Sequence, residues 1–331
     1  MDESNILEVK DLLTTFRTER GLMKAVDGVS FQVKKGEILG VVGESGCGKS
    51  VTSQSIMRLY DEKRTARYSG EILLNGDNLL KKTEKEMREI RGRDVAMVFQ
   101  DALSSLNPVI KIGEQIMEPL RIHQHMKKKE ARERALEMLR LVGIPAPEDR
   151  LEQYPHELSG GMRQRVMIAI ALACQPKLLI ADEPTTALDV TIQAQIMDLI
   201  VELNQSLSMG VILITHDLAV VAETCSRVVV MYLGQIVEEA DVNDLFDNPM
   251  HPYTNGLIQS IPKLNGNRKE HLYTIEGMVP LLNQIPKGCR FAPRCPYATE
   301  LCRNKMPELE MISDTQKVRC FYAAERGEMS V

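Results

Sequence analysis

The sequence predicts an α/β fold in which helices cover a parallel β-sheet. Apolar, β-branched runs of strand length recur at residues 38–42, 177–181, 211–215 and 227–233. Stretches of helical length separate them, as parallel neighbouring strands require. A glycine-rich octet follows the first run directly, at the carboxyl edge where open α/β sheets bind ligands.

Length and composition are those of a globular protein with one large or two ordinary domains. The chain has 331 residues, of which 44% are hydrophobic and 26% charged. Its formal net charge of −5 lacks the basic excess of nucleic-acid-binding proteins, so we expect no nucleic-acid partner. No apolar stretch reaches the roughly 20 residues of a membrane-spanning helix. The acidic N-terminus does not resemble a signal peptide, and we therefore expect a cytosolic protein.

The elements of the first hundred residues are predicted from alternation and turn residues. Residues 6–13 and 25–33 have strand character, and residues 68–76 form another strand that closes at an Asn-Gly turn. A charged helix over residues 82–91 and a core strand over residues 94–100 follow.

The middle of the chain is predicted to be helical. Apolar positions recur on one face over residues 112–120 and 127–142. Ser159 is expected to cap a further helix that runs to Cys174, and helices over residues 190–207 and 218–225 join the last strands.

The composition and periodicity of the sequence change near residue 241. Proline, asparagine and glycine become frequent, and helical periodicity fades. We therefore predict one domain over residues 1–240 and a loop-rich extension over residues 241–331.

The octet at residues 43–50 fits the phosphate-loop pattern G-x-x-x-x-G-K-[ST]. It stands between a buried strand and a predicted helix over residues 51–60, which argues against a chance glycine-rich turn. Its glycines let successive N–H groups face a phosphate at the positive end of a helix. Lys49 is expected to reach the outer phosphates, and Ser50 to bind Mg²⁺. The sequence thus predicts a site for a nucleoside triphosphate built from Gly43, Glu44, Ser45, Gly46, Cys47, Gly48, Lys49, Ser50 and Val51.

Three apolar strands deliver polar side chains to the same sheet edge. Asp182 and Glu183 end one strand, where Asp182 is suited to Mg²⁺ and Glu183 to the role of general base for the attacking water. His216 follows another strand and is expected to contact the γ-phosphate and that water. Gln100 follows a third and is expected to contact Mg²⁺ or the water. An exposed acidic strand end and a structural histidine are the alternatives.

A second glycine turn, Leu-Ser-Gly-Gly-Met, precedes a predicted helix. Ser159, the N–H groups of Gly160 and Gly161, and the helix start at Met162 form a second anion site. One nucleotide has no use for two phosphate sites in one chain, so the pair predicts two subunits that enclose two nucleotides between them. A flexible turn before a helix is the alternative.

Together, these ordered motifs resemble those of the ATP-binding cassette (ABC) ATPases over residues of about 5–240. The resemblance identifies, in chain order, Walker A (43–50), the Q-loop (Gln100), the signature (158–162), Walker B (178–183), the D-loop (187–189) and the switch histidine (His216). Met162 departs from the usual glutamine. The resemblance implies a P-loop NTPase fold, with a RecA-like parallel sheet core, an antiparallel β subdomain and a helical subdomain over about 101–165.

The resemblance also implies a mechanism. ATP held by Lys49 and Gln100 of one subunit meets the signature turn of another, and closure and hydrolysis drive membrane subunits through a groove near residues 100–108. Phe16 is the best-placed aromatic residue to stack on adenine.

Four of the seven cysteines lie in the extension, spaced Cys289-x5-Cys295-x6-Cys302-x17-Cys320. Because disulfides are disfavoured in the cytosol, this cluster predicts a metal site. Four thiolates suit either Zn²⁺ or an iron–sulfur cluster, although the paired C-x2-C motif of zinc ribbons is missing. Four unligated core cysteines are the alternative.

Residues 248–254 and the cysteines resemble the C-terminal extension of oligopeptide and dipeptide importer ATPases, whose close relatives also serve nickel uptake. The resemblance implies a structural [4Fe-4S] cluster at the cysteines in preference to Zn²⁺. The nearby Arg290, Arg294, Arg303 and Arg319 are expected to lower thiol pKa values, balance cluster charge or form a small basic face for nucleic acid.

The resemblance therefore predicts the ATP-hydrolysing motor of a di- or oligopeptide importer, peripheral to the cytoplasmic face of the cell membrane. Its expected partners are two transmembrane permease subunits, a second ATPase (a heterodimer rather than a homodimer) and, indirectly, an extracytoplasmic peptide-binding protein. One alternative is a soluble ABC-type ATPase that acts on nucleic acid or ribosomes. A module that binds ATP without hydrolysis is another, against which Glu183 and His216 argue.

Overall fold

The computed structural model divides the chain into two compact units. The described residues are 5–19, 21–101, 105–186, 188–261 and 273–323. The first unit comprises residues 1–7, 33–38 and 74–214, and the second comprises residues 8–32, 39–73 and 215–331.

Strands and helices alternate along the described residues. The strands are β1 (Asn5–Thr18), β2 (Gly21–Lys34), β3 (Ile38–Val42), β4 (Ala66–Leu74), β5 (Asp77–Asn78), β6 (Val95–Val98), β7 (Leu178–Asp182), β8 (Gly210–Ile214), β9 (Arg227–Tyr232), β10 (Gln235–Asp241), β11 (Glu310–Met311) and β12 (Gln316–Val318). The α-helices are α1 (Lys49–Ile56), α2 (Glu84–Ile90), α3 (Ile112–His123), α4 (Lys128–Leu141), α5 (Pro147–Leu151), α6 (Gly160–Leu172), α7 (Val190–Leu207), α8 (Leu218–Thr224), α9 (Val242–Asp247), α10 (Pro252–Gln259) and α11 (Glu300–Asn304). Short 3₁₀ helices cover Leu79–Lys81 and Pro155–Glu157.

Strands β6, β7 and β8 of the first unit form parallel pairs with β7 in the middle. Every residue of the three strands is buried, as their continuous apolar sequences predict. The register pairs Val98 with Ala181 and Asp182 with Ile214. The carboxyl ends of the strands therefore share one edge, where Gln100 and Glu183 follow.

The helices of the first unit confirm the predicted middle region. Helix α4 buries Ala131, Ala135, Met138 and Leu139 on one face, and it packs against α3 and α6. Ser159 caps α6, since its Oγ accepts a hydrogen bond from the N–H of Met162 at 3.3 Å.

In the second unit, β3 pairs in parallel with β9, and β9 pairs antiparallel with β10. A separate sheet places β1 between β2 and β4. Helix α1 is shorter than the predicted helix over residues 51–60, because Met57 ends it and Arg58 adopts a positive φ of 48°.

The extension contains more regular structure than its sequence predicts. Residues 242–259 form α9 and α10, and β12 pairs antiparallel with β10. The fully buried Glu238 of β10 accepts hydrogen bonds from the N–H groups of Met250 and His251, both at 2.9 Å, and from Gln316 Nε2 at 2.7 Å. Burial raises the pKa of this carboxyl group. The extension is thus anchored to β10 by hydrogen bonds to one buried side chain.

Within the described ranges, no helix is both long enough and apolar enough to cross a membrane.

Candidate nucleotide-binding site

The predicted site residues are divided between the two units. The first unit contains Gln100, the pair Asp182 and Glu183, and the signature turn at residues 159–162. The second contains the phosphate loop, Phe16 and His216.

The phosphate loop requires glycine at two places. Gly43 and Gly48 have φ of 149° and 105°. A Cβ would lie 2.3 Å from the Met231 carbonyl oxygen at Gly43, and 2.9 Å from the Ala25 carbonyl oxygen at Gly48. Gly48 precedes α1 and has no side chain to cap it, which suits the helix N-terminus to an anionic ligand.

Lys49 lies inside the curve of the loop. Its side chain is buried, and Nζ donates hydrogen bonds to the carbonyl oxygens of Gly43 at 2.7 Å and Glu44 at 3.1 Å. Cys47 is fully buried next to it, and burial raises the pKa of its thiol. The arrangement holds one positive charge at the loop, as a phosphate site requires.

Glu44 is bound by residues of the extension. Its backbone N–H donates to the Tyr253 hydroxyl at 2.7 Å, and its carboxylate accepts from both Nη atoms of Arg294 at 2.6 and 3.0 Å. The sequence places Glu44 among the phosphate-binding residues, but its N–H is already engaged with Tyr253. Sequence analysis missed the roles of Tyr253 and Arg294, which lie 209 and 250 residues away along the chain.

The structure brings Gln100 and Glu183 together. Glu183 Oε2 accepts hydrogen bonds from Gln100 Nε2 at 2.7 Å and from Thr186 Oγ1 at 3.0 Å. The N–H of Glu183 donates to the Ile214 carbonyl at 2.8 Å, and its φ of 47° is unusual for a residue other than glycine. The preceding Asp182 is buried at the end of β7. A carboxylate fixed in this way can accept a proton at a defined position.

His216 lies near the phosphate loop in the second unit. The N–H of the preceding Thr215 donates to the carbonyl oxygen of Val41 in β3 at 3.3 Å. His216 is exposed and lines a cavity of about 380 Å³ with Gly43 and Glu44 of the loop and Leu257 of α10. His216 therefore lies close to the phosphate loop, as its predicted contact with the γ-phosphate requires.

The signature turn faces solvent. Ser159 and Gly160 are exposed, and Met162 is half-buried. The Ser159 hydroxyl accepts from the Met162 N–H, so it keeps its own proton for donation to another group. A Cβ on Gly161 would lie 2.8 Å from Ile192 Cγ2, whereas one on Gly160 would make only a 3.8 Å contact with Leu188.

Phe16 is half-buried, and its ring makes an edge contact with Tyr60 at 4.8 Å between centroids.

The proposed permease groove and D-loop are incompletely described, since residues 102–104 and Ala187 lie outside the described residues. Asp189 of the D-loop caps α7 through the N–H of Ile192 at 3.0 Å.

All four cysteines of the extension line one small cavity. The N–H of Cys289 donates to the carbonyl oxygen of Cys302 at 2.8 Å. Burial raises the pKa of the Cys289 thiol to about 11, the opposite direction from the lowering expected of nearby arginines. Among the described residues, no three His, Cys, Asp or Glu side chains are arranged to hold a metal ion.

Of the four arginines expected to form a basic face next to the cysteines, Arg303 is exposed, whereas the other three are engaged within the protein. Arg290, Arg294 and Arg319 are turned inward and bind backbone carbonyls, and Arg290 and Arg294 also pair with the carboxylates of Asp27 and Glu44. The guanidinium groups of these three residues stabilise the extension and are not available to nucleic acid.

Comparison with known families gives two matches in chain order. The family "ABC transporter" matches residues 26–186, and "Oligopeptide/dipeptide transporter, C-terminal region" matches residues 237–302.

Several curated proteins are similar over nearly their full length. A probable peptide ABC transporter ATP-binding protein of Sinorhizobium fredii is 55% identical, with 97% of this chain and 96% of the relative covered. The dipeptide transport ATP-binding protein of Haemophilus influenzae is 54% identical, with 95% and 94% covered. The oligopeptide transport ATP-binding protein AppD of Bacillus subtilis is 53% identical, with 98% of both covered.

A solved structure shares the fold. An ATP-binding cassette, crystallised as a dimer in a post-hydrolysis state with ADP and Pi, matches with a TM-score of 0.64 and 30% identity. The match covers 71% of this chain and 98% of that cassette, which confirms the predicted P-loop NTPase fold. With the sequence matches, it shows that this chain belongs to the ATP-binding subunits of oligopeptide and dipeptide ABC transporters.

Proposed function

We propose that the chain is the ATP-hydrolysing motor subunit of a membrane importer for di- or oligopeptides. The observation that carries the proposal is the presence of two glycine turns in one chain, each of which precedes a helix and one of which faces solvent. The phosphate loop surrounds Lys49, while Ser159 and Gly160 stand exposed at the start of α6. An exposed second turn is suited to the nucleotide of another subunit.

In this function, the loop at residues 43–51 binds the phosphates of ATP. Lys49 neutralises their charge, and Phe16 stacks on the adenine. Ser50, Gln100 and Asp182 would hold Mg²⁺, which would offset the charge of the phosphate oxygens. Glu44 contributes through its side chain and carbonyl, since its N–H is bound to Tyr253.

Glu183 is the general base of the proposed reaction. Its Oε2 takes a proton from the attacking water, and the hydrogen bond from Gln100 holds the carboxylate in place. Gln100 and His216 orient the water and the γ-phosphate. Proton transfer of this kind contributes about 10²–10⁴-fold to a rate.

The signature turn acts on the ATP of a second, homologous ATPase subunit. The Ser159 hydroxyl donates to a phosphate oxygen, and the N–H groups of Gly160, Gly161 and Met162 add the field of the helix N-terminus. A heterodimer is preferred to a homodimer. Two permease subunits receive the movement at the cytoplasmic face of the membrane, and an extracytoplasmic binding protein delivers the peptide.

We further propose that Cys289, Cys295, Cys302 and Cys320 hold a [4Fe-4S] cluster, with Zn²⁺ as the alternative. Their common cavity supports this assignment. Residues 1–240 then form the ATPase domain, with a helical subdomain over about 101–165, and residues 241–331 form the cluster-bearing extension.

Transport in a reconstituted system tests the function. The complete transporter in proteoliposomes is expected to take up labelled dipeptide only with external ATP, and the variant Lys49→Ala is expected to abolish uptake. Lys129→Ala, on the exposed surface of α4, is the matched control. ATP-independent uptake, or hydrolysis stimulated by RNA but not by the permeases, contradicts the proposal and favours the nucleic-acid alternative.

A further inference from the structure

We infer that the C-terminal extension positions the phosphate loop for ATP, and that Tyr253 and Arg294 are the positioning residues. Both act on Glu44, the second residue of the loop. This inference rests on the proposed function of the loop in binding ATP.

Every polar group of Glu44 has a partner. Its N–H donates to the Tyr253 hydroxyl at 2.7 Å, and its carbonyl oxygen accepts from Lys49 Nζ at 3.1 Å. Its two carboxylate oxygens accept from the two Nη atoms of Arg294 at 2.6 and 3.0 Å. Residues of the extension therefore bind both the backbone and the side chain of Glu44. The phosphate-binding Lys49 also donates a hydrogen bond to Glu44.

The extension presents these two groups from fixed places. Tyr253 is fully buried, and its ring packs against Tyr232 and Phe291 with centroids 4.8 and 5.4 Å apart. The Arg294 side chain is 4% exposed, and it also donates to the carbonyl oxygens of residues 275 and 276 at 3.3 and 3.0 Å. Side chains held by packing and by further hydrogen bonds orient their target more sharply than mobile ones.

The position of Glu44 affects the phosphate loop because Gly43 precedes it directly and Lys49 donates a hydrogen bond to it. Gly43 precedes it at a φ of 149°, where Met231 leaves no room for a side chain, and Lys49 donates to both Gly43 and Glu44. A shift of Glu44 therefore displaces the carbonyl oxygens that hold the lysine. We expect the consequence in ATP affinity, because Tyr253 and Arg294 hold the loop that binds the phosphates. The chemical step depends on Glu183 instead.

The test compares Tyr253→Phe and Arg294→Gln in the full-length chain. Each change removes hydrogen bonds to Glu44 and is expected to raise KM for ATP about tenfold while kcat stays within about twofold. Arg294→Lys is expected to raise KM less, because an ammonium keeps the charge but not the bidentate geometry. Tyr273→Phe and Arg303→Gln change exposed residues of the same extension, and neither is expected to alter KM.

A double-mutant cycle identifies the route of the effect. Glu44→Gln alters the contact from the loop side and leaves the buried side of the extension intact, so it is expected to raise KM without lowering the melting temperature. If Arg294 acts through Glu44, the double variant raises KM no further than the larger single change. An effect equal to the product of the two single effects overturns the inference.

Other results overturn it as well. An unchanged KM in the folded Tyr253→Phe and Arg294→Gln variants overturns the inference. An equal rise of KM in the control variants, or a fall in kcat without a change in KM, does so too. If Arg294→Gln does not fold, an unchanged KM in Glu44→Gln overturns the inference without it. Failure of the unaltered chain to bind ATP refutes the proposed function, which is a different outcome.

Discussion

Replacement of Glu183 by glutamine separates ATP binding from ATP hydrolysis. Glutamine has the shape of glutamate, and its side-chain oxygen can accept the hydrogen bonds that Gln100 Nε2 and Thr186 Oγ1 donate at 2.7 and 3.0 Å. The unusual φ of 47° belongs to the backbone and is equally available to glutamine. The change therefore leaves the site intact and removes only the charge that accepts the proton.

The expected loss of turnover follows from that single change. General-base catalysis contributes at least about a hundredfold, which corresponds to about 2.7 kcal/mol of activation free energy. The free energy of unfolding is expected to change by less than about 1 kcal/mol, because the hydrogen-bond acceptors are conserved. The dissociation constant for ATP is expected to stay within about threefold, since the phosphate loop is unaltered.

The assay measures steady-state phosphate release, equilibrium binding of ATP and thermal unfolding on the same preparations. Glu202→Gln, on the exposed face of α7, is the matched control and should behave as the unaltered chain. Turnover within a few-fold of normal in Glu183→Gln refutes the assignment of the base. A parallel loss of ATP binding shows that the carboxylate is needed for the site itself and refutes the separation.

The other expectations concern the loop, the signature turn and the cysteines. Lys49→Ala is expected to weaken ATP binding at least about tenfold, since charge-assisted hydrogen bonds contribute about 1.5–3 kcal/mol each; unchanged affinity in a titration argues against the phosphate loop. Gly161→Ala is expected to destabilise the fold by about 1–3 kcal/mol, because the new methyl group would lie 2.8 Å from Ile192, whereas Gly160→Ala is tolerated; equal melting temperatures contradict this. Protein purified without oxygen is expected to be brown, with about four iron and four sulfide per chain; colourless protein with one zinc reverses the assignment.

Elements whose bounds are determined by their own residues and the residues directly beside them could be predicted from the sequence. The strand Ile38–Val42 and the helix Val190–Leu207 have the predicted bounds, because apolar composition and flanking turn or cap residues determine both. The Ser159 cap is likewise encoded within four residues. The site motifs are short and contiguous, so their residue types and spacing were sufficient to identify them.

Contacts between distant segments were not predictable from one sequence. Tyr253 and Arg294 reach Glu44 across more than two hundred residues, and β12 pairs with β10 across 76 to 80 residues. The contacts of the arginines near the cysteines could not be predicted either. Their proximity in sequence to the cysteines suggested that they act electrostatically on the thiols. Their side chains instead bind groups elsewhere in the second unit.

The central claim is that the Ser159 turn of one subunit completes the ATP site of another. The direct measurement is ATP-dependent association by analytical ultracentrifugation, with the hydrolysis-deficient Glu183→Gln variant and its ATPase partner. ATP, but not ADP, is expected to stabilise the pair, and Ser159→Arg in the same background is expected to abolish association while each subunit still binds ATP at its own phosphate loop. Association that does not depend on ATP, or that survives Ser159→Arg unchanged, would contradict the account.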